Sequence, residues 1–474
     1  MSDSATASAA PDRNRLIAAV LLSGVALFEM AAELGKIDVV QKTAWVFMVA
    51  LLIFRIRQWT LRDFYLLAVG VALAIVVYLT KDTPWAIISR AIDQATFMMA
   101  FIILLGLLYE TASTSPSVAI CGEYLTRQPP SRRYYALYVG SAVLAVLFNV
   151  GVLAFLVPLI QRGVERATPG DALNPIRLRR QITPLVRGFS WGVIWSPTAF
   201  SPLVLVQLMP DLDRARWTLY GVAIFIIMMI VGGLEDRIRF RRYRPVGPRI
   251  SAEFPLRAAA YFVVACAALF TIVGVVVSLT GESVVVGLLV ACPVMMVGWL
   301  FAQAGRDFLN AGPAVRARIS VILGREVPGS VSIAMIMALS GFIGSIAAAL
   351  VPASDLSEIL YLNAVPDYVL LWLISVLVLA SGQMALTPMA MAVFFGTVVS
   401  AMPVKPADPT LIALAISCGW ALTGLGSPFS AATLLCSRAT GIPAQRLAWS
   451  WNWAFAALAL LVLVPVYYWA TGGQ

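Results

Sequence analysis

The chain has 474 residues, enough for about three average soluble domains, yet 60% of them are hydrophobic against roughly 45–50% in globular chains. Mean hydropathy is +0.87 and 12% of residues are charged, so at about 20 residues per crossing the chain supplies on the order of a dozen transmembrane helices and is not a soluble enzyme. Histidine is absent, which removes imidazole metal sites, histidine triads and histidine proton relays.

Residues 1–15 are polar and read as a cytoplasmic tail. The apolar run Leu16–Leu34 behind them has no small-residue cleavage site, so it is a retained span and not a signal peptide. Runs at 39–54, 63–80 and 94–110 follow, with 83–93 left between span and interface. We read 16–93 as N-terminal scaffold. Basic residues cluster at Arg13/Arg15, Arg55/Arg57/Arg62 and Arg127/Arg132/Arg133, and the positive-inside rule places all three clusters on the cytoplasmic side of four crossings.

Segment 132–166 has arginine at both ends and Phe148-Asn149-Val150-Gly151 in its middle, which predicts a re-entrant helical hairpin opening to the cytoplasm. After a basic linker carrying Arg177, Arg179, Arg180 and Arg187, a span over 188–209 crosses outward, and 216–234 returns to a basic cytoplasmic loop, 235–257. Spans at 258–279 and 284–304 belong to a linking scaffold, 258–328, and a span over 329–351 leads to an acidic outer loop with Asp355, Glu358 and Asp367. Segment 367–403, centred on Ser381-Gly382-Gln383, is then a hairpin opening outward, followed by spans at 410–435 and 449–470. The prediction is an all-α polytopic membrane protein of about 11 transmembrane helices plus two re-entrant hairpins, N-terminus cytoplasmic and C-terminus outside. Of 34 Lys and Arg, 27, all arginines, fall inside; Lys36, Lys42, Lys81, Arg214, Arg216 and Lys405 fall outside, and Arg90 is unassigned. This split accounts for the net charge of +10 without nucleic acid.

The halves 94–234 and 329–470 repeat each other. Trp191–Ser201 and Trp420–Ser430 align without a gap, Trp on Trp, Phe on Phe and Ser on Ser, with the hairpin centres Asn149 and Gly382 at similar distances upstream. Because the hairpins open to opposite sides, these are inverted-topology repeats, a ground plan of secondary transporters. Each half also interrupts a span: Ser196-Pro197-Thr198 with Ser201-Pro202, and Gly424-Leu425-Gly426-Ser427-Pro428. Proline removes a backbone donor and glycine weakens the helix, so both spans unwind near mid-membrane and expose carbonyls for a cation and N–H groups for an anion. The candidate substrate and ion site is therefore Asn149, Gly151, Ser196, Pro197, Thr198, Ser201, Ser381, Gly382, Gln383, Thr423, Gly426, Ser427, Ser430 and Thr433. Trp191 and Trp420 read as repeated packing residues. No residue set suggests a resident metal or organic cofactor, and the five scattered cysteines suggest neither disulfides nor a metal knuckle.

In this order of scaffold spans, inward hairpin, broken helix and inverted copy, the chain resembles the ion transporter superfamily, in particular the divalent-anion:sodium symporters and the large membrane subunit of TRAP transporters. The family's hairpin tips carry Ser-Asn-Thr, which hold sodium and a substrate carboxylate; here they read Phe148-Asn149-Val150-Gly151 and Ser381-Gly382-Gln383, with Asn149 equivalent to the tip asparagine. The resemblance implies an elevator mechanism, a homodimer and sodium as coupling ion at the tips and broken helices.

The reading that follows is a secondary transporter for a small organic anion, a carboxylate, in the cytoplasmic membrane of a bacterium. No Asp, Glu, Lys or Arg lies inside the hairpins or the central parts of the broken spans, which favours sodium over proton coupling. Glu29 and Glu110 are the exceptions in neighbouring spans, and Glu110 at the site would restore proton coupling. A proton-coupled or inorganic-anion transporter or antiporter of the same superfamily, and a non-transporting membrane component with a decayed site, stay open as alternatives. An intramembrane enzyme lacks an activated nucleophile or acidic pair, and no P-loop is present for a primary pump.

Overall fold

The computed structural model describes residues 13–243, 253–303, 311–362 and 365–473, and within them every element is helical. Residues 1–12 of the expected tail and 244–252 of the expected basic loop lie outside the described residues.

In chain order the helices are α1 (Arg13–Gly35), α2 (Asp38–Phe54), α3 (Leu61–Thr80), α4 (Pro84–Ala112), α5 (Pro116–Thr126), α6 (Pro130–Phe148), α7 (Gly151–Ala167), α8 (Asn174–Gly192), α9 (Phe200–Leu208), α10 (Arg214–Arg239), α11 (Leu256–Thr280) and α12 (Val284–Gln303). Next come α13 (Gly312–Val321), continued by a π-helical turn (Ile322–Glu326) into α14 (Val327–Gly329), then α15 (Val331–Leu350), α16 (Ala353–Leu362), α17 (Asp367–Gln383), α18 (Pro388–Ala401), α19 (Pro409–Gly426), α20 (Ala431–Thr440) and, after a second π-helical stretch (Arg446–Asn452), α21 (Trp453–Ala470). Nine segments among the described residues are long and apolar enough to cross a membrane. Adding α2, which is 17 residues long, and the interrupted pair α8/α9 accounts for the spans read from the sequence.

Four local features differ from the sequence reading. Helix α4 starts at Pro84, so residues 84–93 are continuous with the expected span 94–110 in one helix; proline at the first helical position fits there because its missing N–H has no intrahelical partner. The linker expected around Arg177–Arg187 is instead the body of α8, opened by Asn174-Pro175; arginine is a good helix former, and its long stem lets the charge sit away from the backbone. The expected tail ends early, since Arg13–Arg15 already belong to α1. Short helices α5 and α16 precede the two hairpins and have no counterpart in the hydropathy pattern, being too short to register as spans.

The chain forms two compact units, one from Met1–Leu67, Ile92–Thr111 and Thr271–Leu339, the other from Ala68–Ala91, Ala112–Phe270 and Ser340–Gln474. The second holds both hairpins and both interrupted helices. Within it the packing repeats: α6 lies along α8 as α17 lies along α19, α7 packs on α20 as α18 packs on α9, and α8 and α19 pack on each other at the centre. Gly188 permits the closest of these approaches, since a Cβ there would stand 2.0 Å from the Tyr138 carbonyl oxygen of α6.

Candidate functional site

The first hairpin turns on Asn149, which caps α6 at φ 47, ψ −136. This is a region L-residues adopt under strain, and asparagine tolerates it better than most. Gly151, the last residue of the expected turn Phe148-Asn149-Val150-Gly151, is the first residue of α7. The Asn149 side chain accepts the Val150 N–H at 2.8 Å through Oδ1, while its Nδ2 is buried and has no partner among the described residues. The second hairpin turns later than expected: Ser381, Gly382 and Gln383 form the last turn of α17, and the reversal falls on Met384–Thr387 with Ala385 at φ 62. Thr387 then caps α18, its hydroxyl accepting the Ala390 N–H at 3.1 Å, with Pro388 as the first helical residue. That Thr-Pro pair is the helix-start signature in the sequence that placed the turn.

Both spans read as interrupted are interrupted. Helix α8 ends at Gly192 and α9 begins at Phe200, with Pro202 harmless in its first turn; α19 continues through Gly424 and Gly426 and breaks only at Ser427–Ser430. In the second half the glycines serve packing rather than unwinding: a Cβ on Gly424 would meet Ser190 Oγ of α8 at 2.8 Å, and one on Gly382 would meet Thr423 Cγ2 at 2.3 Å.

Aligned residues in the two halves make the same bond. Thr198 donates to the carbonyl of Val146, one turn before the first hairpin's tip, and Ser427, its counterpart in the gap-free alignment, donates to the carbonyl of Gly382 at 2.6 Å. Each break is thus tied to the first arm of its own hairpin. Thr423 adds a bond to the Val378 carbonyl at 3.0 Å, and Gln383 Nε2 reaches the Gly426 carbonyl at 3.3 Å while its Oε1 accepts Trp449 Nε1 at 3.0 Å. Ser201 and Ser417 bond at 2.7 Å and join α9 to α19 across the repeat.

The structure therefore gathers Ser196 and Thr198 at the arm of the first hairpin, and Ser381, Gly382, Gln383, Thr423, Gly426 and Ser427 at the second. Ser430 and Thr433 instead close the N-terminus of α20: Ser430 Oγ accepts the Thr433 N–H at 3.2 Å and lies 2.8 Å from the Gly424 carbonyl, and Thr433 Oγ1 donates to the Ser427 carbonyl at 2.7 Å. Most of the hydroxyl protons expected to meet a substrate are thus committed to backbone carbonyls. Buried donors with no acceptor among the described residues include four near the first hairpin tip and the break after α8 in sequence, Asn149 Nδ2, Ser190 Oγ, Trp191 Nε1 and Trp195 Nε1, and others lie elsewhere, among them Trp59, Gln94 and Trp217. A region rich in unspent donors suits an anion or ordered water.

Sequence reasoning missed one buried charge group. Arg187 is fully buried in α8, its Nη1 2.9 Å from Glu235 Oε2 of α10, its Nε 3.0 Å from Asn452 Oδ1, and its guanidinium 4.0 Å above the Phe455 ring. Arg180 pairs with Asp236 at 2.9 Å one level toward the helix start. The available signal was the apolar setting of Arg187, between Pro184-Leu185-Val186 and Gly188-Phe189. Glu29 and Glu110 belong to the other unit, where Glu29 is buried and accepts Gln41 Nε2 at 3.0 Å.

No known protein family and no curated protein matches the sequence. Among solved structures the fold is similar to that of the YdaH transporter of Alcanivorax borkumensis, with 12% identity, 87% of this chain and 98% of that chain covered, and a TM-score of 0.51. It is also similar to MtrF of Neisseria gonorrhoeae, whose structure is linked to a class of antimetabolite efflux pumps, with 13% identity, 86% and 94% coverage and a TM-score of 0.54. At these identities the likeness is one of fold.

Proposed function

We propose that this protein is a secondary active transporter that carries a small organic anion, a carboxylate, across the bacterial cytoplasmic membrane, coupled to sodium and working by elevator-type alternating access. The observation that carries the reading is the matched pair Thr198 to Val146 and Ser427 to Gly382, which ties an interrupted helix to a hairpin arm in each half. Interrupted helices of this kind are tolerated inside a bilayer when buried in protein or lining a wet cavity, and paired ones mark substrate and ion sites. Asn149 is the residue we assign to the substrate: its strained backbone and unpartnered amide are the combination found where a side chain is held ready for a ligand. Freed carbonyls in the break between α8 and α9 offer hard oxygen ligands to sodium. The unit containing both hairpins is, in this reading, the part that moves, in a homodimer with N-terminus inside and C-terminus outside; the resemblance to the ion transporter superfamily supports both.

A second reading, proton coupling, rests on Glu29, a carboxylate 1% exposed with no cationic partner among the described residues. Thermal unfolding of the purified protein against a panel of organic and inorganic anions, in sodium, in potassium and at low pH, separates the two. Binding to the folded state raises apparent stability by mass action. A shift that needs sodium and disappears in Asn149→Gly supports the symporter, whereas a shift that follows pH, ignores sodium and disappears in Glu29→Gln replaces it with proton coupling.

A further inference from the structure

Outside the hairpin unit, the other unit carries a cavity of about 510 Å³ lined by Arg15 of α1, Arg55 at the end of α2, Gln58, and Arg325 and Glu326 of the π-helical turn. Its lining holds three arginines and one carboxylate, and among the described residues none of the three arginines forms an ion pair. The first turn of α1 lies beside the cavity through Arg15, contains no acidic residue, and adds the positive end of the helix dipole. Burial lowers the pKa of the Arg55 guanidinium, the mark of a cation partly stripped of water without a counter-charge. By the arginine distribution this end of α1 and α2 faces the cytoplasm, at the depth of lipid headgroups.

We propose that this cavity is a binding site for a phosphate group, occupied by the headgroup phosphodiester of an anionic lipid in the inner leaflet. Arginine suits that role because its planar fork of N–H donors matches phosphate oxygens in pairs. The single carboxylate of Glu326 leaves the lining net positive, and Gln58 supplies a neutral donor. Basic pockets between membrane helices on the cytoplasmic side are a recognised means of holding anionic headgroups. The site is independent of the transport reading, since none of its residues belongs to the hairpins or broken helices.

The test is native mass spectrometry of the full chain in detergent, titrated with phosphatidylglycerol, phosphatidylcholine or inorganic phosphate. Wild type should retain phosphatidylglycerol over phosphatidylcholine, and each of Arg15→Ala, Arg55→Ala and Arg325→Ala should weaken retention by roughly fivefold. Arg166→Glu, which changes the net charge on the exposed end of α7, should leave retention unchanged, and unchanged elution on size exclusion shows that the variants fold. Arg55-dependent binding of inorganic phosphate that displaces the lipid would keep the phosphate site and assign it to a soluble ion. Equal phosphatidylglycerol retention by wild type and all three alanine variants would overturn the proposal.

Discussion

At the scale of single residues, Asn149 concentrates two demands that normally exclude each other, a positive φ and a buried, unpartnered amide. Glycine would satisfy the first and abolish the second. We therefore expect Asn149→Gly to keep stability within about 1 kcal/mol of wild type, because lost strain offsets the lost bond to Val150, while substrate-dependent thermal shift and uptake into proteoliposomes are abolished. Wild-type uptake in that variant would sink the assignment of Asn149 to the substrate. Thr198 and Ser427 make equivalent bonds, so Thr198→Val and Ser427→Ala should cost similar amounts, about 1–3 kcal/mol each from a buried carbonyl left unsatisfied. A clearly unequal pair in denaturation would show that the two halves do not carry equal loads.

At the scale of elements, two contacts decide how α8 is held. Gly188 lies where a methyl group would collide with backbone, which cannot swing aside as a side chain can, so Gly188→Ala should destabilise the hairpin unit by about 1–3 kcal/mol or more through forced separation of α6 and α8. Arg187 binds α8 to α10 and to the π-helical stretch before α21. Arg187→Ala leaves Glu235 paired with Arg239 alone, at 2.7 Å, and strands the Asn452 amide oxygen, so it should cost about 1–3 kcal/mol, measured by thermal unfolding. The loop from α7 to α8 offers a pH reading. Asp171 lies there outside the spans, and the Leu173 N–H together with Arg177 holds its carboxyl below the usual carboxylate range. A depressed folded pKa contributes stability that is present above the unfolded value, about 3.9, and is lost as pH falls through the folded value. Proteolytic nicking of this loop should therefore rise only in that acid window, and Asp171→Asn should remove the pH dependence.

At the scale of the whole molecule, the two halves share an order of elements: α4, α5, hairpin α6/α7, broken α8/α9 and α10, against α15, α16, hairpin α17/α18, broken α19/α20 and α21. In an inverted repeat, equivalent positions lie on opposite faces of the membrane. Single cysteines placed in a cysteine-free background at Arg166, at the end of the first hairpin, and at the exposed Val404, just after the second, should then be labelled by an impermeant thiol reagent from opposite sides of the cell membrane. Labelling of both from the same side would remove the inverted topology and, with it, the alternating-access reading.

Much of this architecture was legible in order along the chain. Hydropathy runs give spans because a bilayer demands about 20 apolar residues wherever the backbone crosses it, and the Ser-Pro and Gly-rich interruptions show where backbone bonding fails. Arginine at both ends of 132–166 announced a segment that turns back. Residue-level geometry was less accessible. The glycines at 151, 424 and 426 look like breakers, yet 151 opens a helix and 424 and 426 remain inside one, since a missing Cβ serves close packing as readily as unwinding. Arg187 reads as one of a run of loop arginines, and only α10, the π-helical stretch before α21 and α21 itself, distant in sequence, supply the carboxylate, amide and ring that make its burial tolerable. The sequence by itself determined that the protein is a helical membrane protein with repeated, interrupted spans, because those properties follow from local composition and spacing. Only the tertiary structure decided which polar groups are already spent on one another and which, like the Asn149 amide, remain unpaired, because hydrogen-bond satisfaction depends on partners brought together from far along the chain.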